Sequence, residues 1–142
     1  MRGFLLVLLF ALALFQAVAQ SSGRRVMVLE ATAYTSSPRE TWGNPFVTAT
    51  GTRTRIGVLA VSRDLLGVLP YGTRVRLRDL GTVHGRGKGQ FDPFFREVVF
   101  VVEDTMNARW RNRVDVWMPD RATALRFGRR LVELEVVELP QR

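Results

Sequence analysis

The sequence predicts a small all-β domain that closes on itself, with one or two short helices between its strands. Three observations lead there. The first is alternation: from Thr73 to Asp79, Val75 and Leu77 take one face while Arg74, Arg76 and Arg78 take the other. Leu131 to Leu139 repeats the pattern, with Val132, Leu134 and Val136 inward and Glu133 and Glu135 outward. The second is a set of short β-branched runs separated by Gly, Pro and Asn turns. The third is size. A chain of 142 residues has room for one modest core, and about six or seven short strands leave fewest exposed edges when they form a small barrel.

In chain order, Val26 to Tyr34 reads as the first strand, and Thr35 to Asn44 as loop. Thr48 to Thr54 is rich in threonine and glycine; its hydroxyls suit either a sugar or a half-exposed strand. Gly57 to Val61 is a short buried strand. Arg63 to Leu69 carries Leu65, Leu66 and Leu69 at helical spacing, with Ser62 placed as N-cap and Asp64 at the positive end. Gly81 to Arg96 is a long connection with glycines followed by Phe91, Phe94 and Phe95. It reads either as a lid carrying aromatics or as a hairpin loop whose phenylalanines pack back on the barrel. Val98 to Val102 is apolar on both faces, as in a strand buried on both sides. Pro119 and Asp120 open a short helix that Gly128 ends, with Asp120 as its N-cap.

Met1–Ala19 has the form of a signal peptide: Arg2, an apolar stretch from Phe4 to Phe15, then Ala17-Val18-Ala19 before the cut. An uncleaved anchor is the alternative, although the stretch is short for a span. Residues 20–25 are a polar leader and 26–142 the folded domain, so the expected location is secreted or periplasmic. No cysteine is present, which removes disulfides, thiolate catalysis and thiolate metal sites. His84, the sole histidine, has no His or Cys partner for a metal and no triad context. Around Gly87-Lys88, Thr82 and Gly89 stand where a phosphate loop needs glycine and Ser/Thr. No metal and no cofactor are expected. The net charge of +8 comes almost wholly from arginine. It suits an anionic polymer, here cell wall rather than nucleic acid because of the export signal, or is simply a solvated surface.

The functional stretch is Asp104 to Trp117. Asp104 follows the apolar run at a strand mouth. Beyond a polar loop, Val114, Val116 and Met118 take one face and Arg113, Asp115 and Trp117 the other. Two carboxylates from two strands, one flanked by a guanidinium and an indole, suggest a glycan site: aromatic for the sugar plane, cationic for orientation, acidic for proton transfer.

At these residues the sequence resembles the three-aspartate (3D) domain of secreted bacterial cell-wall proteins, related to the catalytic barrel of membrane-bound lytic transglycosylase A. The family signature Asp-Thr-Gly-Gly-Ala-Ile-Lys-Gly-Asn-Arg-Ile-Asp-Leu-Tyr lies over Asp104 to Trp117 without a gap. Asp104, Thr105, Ala108, Asn112, Arg113 and Asp115 are kept; Met106, Asn107 and Arg111 replace its glycines. Ala31 to Thr35 resembles the opening strand and Thr48 to Thr52 the next motif. Ala60-Val61-Ser62 stands where the family has Ala-Val-Asp, so its first aspartate is missing unless Asp64 replaces it.

The resemblance implies a six-stranded double-psi β-barrel and a peptidoglycan lytic transglycosylase. Asp115 would be the general acid and base, and Asp104 the second carboxylate. Tyr34, Thr50, Gly51, Arg113 and Trp117 would bind substrate. The partner would be peptidoglycan glycan strands, the protein a monomer without nucleic-acid or stable membrane association. A non-catalytic wall-binding barrel and a secreted glucan hydrolase are the alternatives.

Overall fold

The computed structural model describes residues 23–38 and 43–142. The signal-peptide stretch Met1–Ala19 and the start of the leader lie outside the described residues. Six strands form: β1 (Val26–Tyr34), β2 (Val58–Val61), β3 (Arg74–Thr82), β4 (Phe100–Thr105), β5 (Arg113–Trp117) and β6 (Arg130–Glu138). Their order is β1-β5-β2-β4-β3-β6, and β6 pairs again with β1, so each strand has two bonded neighbours and the sheet is a closed barrel. The sheet is mixed: β1–β5 and β2–β4 run parallel, the other four pairs antiparallel.

The all-β expectation needs correction. Three short helical segments lie between the strands, where one or two were expected: a 3₁₀ turn Arg63–Gly67, α1 (Asp92–Arg96) and α2 (Arg121–Phe127). The unexpected one, α1, comes from the glycine-rich connection. Pro93 fits its first turn because the missing N–H would be unpaired there anyway.

Inward residues alternate as the period of a strand dictates. Leu29 and Ala31 of β1, Val75 and Leu77 of β3, Val114 and Val116 of β5, and Val132 and Leu134 of β6 are all buried. β4 is a second correction: Phe100 and Val102 are fully buried but Val101 is half-exposed, and Val98 and Val99 precede the strand. The apolar run is therefore one-sided.

The connection from Gly81 to Arg96 does not form a lid. Phe91 and Phe95 are buried, and their rings meet Phe127 and Phe100 edge-on with centroids 4.9–6.0 Å apart. The loop before them is tied down as well. Gly87 O accepts from Arg130 at 3.1 Å, Gly89 N donates to Asp79 O at 3.2 Å, and a Cβ on Gly81 would sit 2.9 Å from Arg86 O. Loop length alone is inexpensive to change, but these bonds are not. Replacing residues 81–89 by a short Gly-Ser link is expected to lower the thermal unfolding midpoint by several degrees, at about 1 kcal/mol per lost hydrogen bond. An unchanged midpoint would show that the loop is dispensable.

Candidate active site

Two carboxylates meet across one strand. Ala60 of β2 pairs with Asp104 of β4 on one side and with Asp115 of β5 on the other. Thr32 of β1 pairs with Asp115 in turn. Asp104 and Asp115 thus stand two interstrand spacings apart, roughly 10 Å between Cα atoms. The small side chain of Ala60 leaves the space between them open, and both border a cleft of about 690 Å³.

Their surroundings differ. Asp104 accepts the Tyr34 hydroxyl at 2.8 Å, Ala49 N at 2.9 Å and Thr105 N at 3.0 Å. Burial, followed by the charge and hydrogen bond of Asp104, pushes the Tyr34 phenol far above its ordinary pKa, so it stays a proton donor. Asp104 therefore ties β1 and the 48–52 loop to β4. Asp115 accepts the Thr32 hydroxyl at 3.0 Å and is half-exposed to the cleft.

One wall of the cleft is the segment from Asn44 to Ala49. Beneath it, Thr48 shares hydroxyl contacts with Thr52 and Thr50 at 2.7 and 3.1 Å, and Thr50 and Thr52 donate to β4 at Glu103. Arg55 grips the Glu103 carboxylate through two nitrogens at 2.6 and 2.8 Å, which holds that carboxyl below the usual range. The threonine hydroxyls bond one another and Glu103 of β4, and of the three only Thr48 borders the cleft. The other wall is Met106, Asn107, Arg109 and Trp110, joined by Arg63 after β2.

Of the residues expected to bind substrate, Tyr34 borders the cleft while Thr50, Gly51, Arg113 and Trp117 do not. Gly51 makes the turn of the loop at φ 84°. Arg113 lies 3.4 Å from Glu30, with its guanidinium 4.4 Å from the Trp110 ring centre. Trp117 donates its indole N–H to Ser36 at 3.0 Å and packs behind Tyr34, Ala60 and Met106. The indole that borders the cleft is the half-buried Trp110, set beside Arg109 in the loop joining the two carboxylate strands.

The replaced glycines cause no backbone conflict. Met106, Asn107 and Arg111 all have negative φ, and only Asn112, a residue type that tolerates the left-handed region, lies there at 54°. Ser62 occupies the N-cap position, but its side chain makes no cap bond; its Oγ accepts from Arg113 N at 3.0 Å. Asp64 accepts Asn112 N at 3.0 Å and does not border the cleft, so it does not replace a third acid. Asp120 caps α2, accepting Thr123 N at 2.8 Å, and takes no part in the site. His84 is exposed in the loop after β3. Among the described residues no three His, Cys, Asp or Glu side chains are placed to hold a metal. Among them, too, no helix is long and apolar enough to cross a membrane.

No family model matches the chain, and no curated protein does either. The resemblance to the three-aspartate domain is thereby corrected. It rested on short stretches that lack the family's first aspartate and all three loop glycines. The double-psi topology and the residue roles that came with the family name fall with it, and the fold is defined by its own strand pairings.

Proposed function

We propose that the cleft cleaves bacterial peptidoglycan at the β-1,4 bond between N-acetylmuramic acid and N-acetylglucosamine, with Asp115 as the single general acid and base. The observation that supports this most is the division of labour between the carboxylates. Asp104 is engaged by three donors that organise the site, while Asp115, held by the Thr32 hydroxyl, is half-exposed on the cleft where a glycosidic oxygen can reach it.

A reaction needing one acid–base group fits such a site. Protonated Asp115 gives its proton to the glycosidic oxygen as the C1–O bond breaks. The muramoyl 6-hydroxyl oxygen bonds to C1, and its proton passes to the Asp115 carboxylate, leaving a 1,6-anhydro end and the acid restored. No water is consumed. The net positive charge suits an anionic wall, and the apolar run Phe4 to Phe15 with Ala17-Val18-Ala19 supports export to the envelope.

Mass spectrometry of purified peptidoglycan incubated with the mature protein tests the reading. Anhydro-muropeptides are expected. Reducing-end products would instead mean hydrolysis, and intact glycan retained on the protein a non-catalytic binding domain.

A further inference from the structure

The cleft contains two cations that the proton-transfer chemistry does not use. Arg63, exposed at the start of the 3₁₀ turn that follows β2, borders it without a carboxylate or hydrogen-bond partner among the described residues. Arg109 borders it from the β4–β5 loop, its guanidinium 4.7 Å from the Trp110 ring centre and likewise in no ion pair. Elsewhere in the protein, Arg55, Arg78, Arg113, Arg129 and Arg130 each face an acid of the chain. No ion pair joins Arg63 or Arg109 to either acid of the cleft floor among the described residues.

An arginine fork is planar and matches a carboxylate through two parallel bonds. A ring under the guanidinium fixes its plane and favours the cation without neutralising it. We propose that Arg63 and Arg109 form a subsite for a carboxylate carried by the glycan, so that the cleft selects acidic glycan over neutral glycan. The inference rests on the glycan reading of Asp104 and Asp115 and adds what that reading leaves open, the substituent recognised. In peptidoglycan the carboxylate has two sources: the lactyl group of a muramic acid stripped of peptide, or the stem peptide itself.

Binding is measured for the wild type, Arg63→Gln, Arg109→Gln, the double variant, and Arg121→Gln as an exposed control on α2. Three probes are used: peptide-bearing peptidoglycan, peptide-stripped glycan, and neutral chitin oligosaccharide of equal length. The wild type is expected to prefer the acidic probes. Each arginine substitution should weaken them about tenfold, and the double variant more, with a smaller salt dependence. Chitin binding and the Arg121→Gln control should not move. Loss confined to peptide-bearing glycan assigns the subsite to the stem peptide, loss confined to stripped glycan assigns it to the lactyl carboxylate, and loss on both shows that it takes either carboxylate. Equal affinity for chitin, or a double variant that binds like the wild type, overturns the subsite. If anhydro products still form in that case, the proposed function survives. A wild type that neither binds nor cleaves any of the three overturns both.

Discussion

Arg130→Met is expected to destabilise the protein by about 3–5 kcal/mol, the usual range for removing one partner of a buried ion pair. Arg130 is 2 % exposed and is the largest fully buried side chain of the described residues. Its guanidinium bonds Asp79 at 3.1 Å, Phe127 O at 2.7 Å, Gly87 O at 3.1 Å and Gln90 Oε1 at 2.8 Å, and lies 4.7 Å from the Phe91 ring centre. Methionine fills similar space but leaves the buried Phe127 carbonyl and Asp79 carboxylate, and the part-buried oxygens of Gly87 and Gln90, without this donor. Asp79 keeps Gly81 N at 2.8 Å and Phe91 N at 2.9 Å, so its charge is not wholly abandoned and the lower half of the range is favoured. Denaturant unfolding gives the number. None of the residues Arg130 bonds borders the cleft, so cleavage by the folded fraction should persist. A loss under 1 kcal/mol would mean that the network contributes little beyond packing.

This network was readable in part. Asp79 falls on the inward phase with Val75 and Leu77, and Arg130 on the inward phase with Val132 and Leu134. Two opposite charges on inward phases of two strands are an ion pair waiting for a register. The register itself depends on how β3 meets β6, including the shift between Asp79 and Thr82, and a long-range pairing leaves no local trace in composition. The same limit governs the site. The alternation along Arg113 to Met118 placed Asp115 outward and Val114, Val116 and Met118 in the core, as found. Alternation says which face a side chain takes, not what covers it. Arg113 and Trp117 share the face of Asp115 yet are claimed by Glu30 and Ser36, while Trp110 and Arg63 reach the cleft from outside the strand pattern. The phenylalanines after Gly89 were ambiguous for a related reason. Whether an aromatic loop folds back depends on an apolar surface to receive it, here Phe100 of β4 and Phe127 of α2.

Asp115→Asn is expected to remove nearly all anhydro-muropeptide formation, roughly 10²–10⁴-fold for the loss of a general acid–base group, while leaving the thermal midpoint almost unchanged. The amide keeps an oxygen where the Thr32 hydroxyl donates, the side chain is half-exposed so its charge is not a buried debt, and its neighbours Val114 and Val116 hold the strand from the core side. What asparagine cannot do is give up a proton and take one back. Asp104→Ala should behave differently. It strips the acceptor from Tyr34, Ala49 and Thr105 together. The 48–52 loop then loses its tether and stability falls by about 1–3 kcal/mol along with activity. The two variants therefore separate a chemical role from an organising one when turnover and unfolding are measured on the same preparations. A stable Asp115→Asn protein that cleaves at the wild-type rate would remove Asp115 from catalysis. If that variant instead unfolded at lower temperature than Asp104→Ala, the roles assigned to the two carboxylates would have to be exchanged.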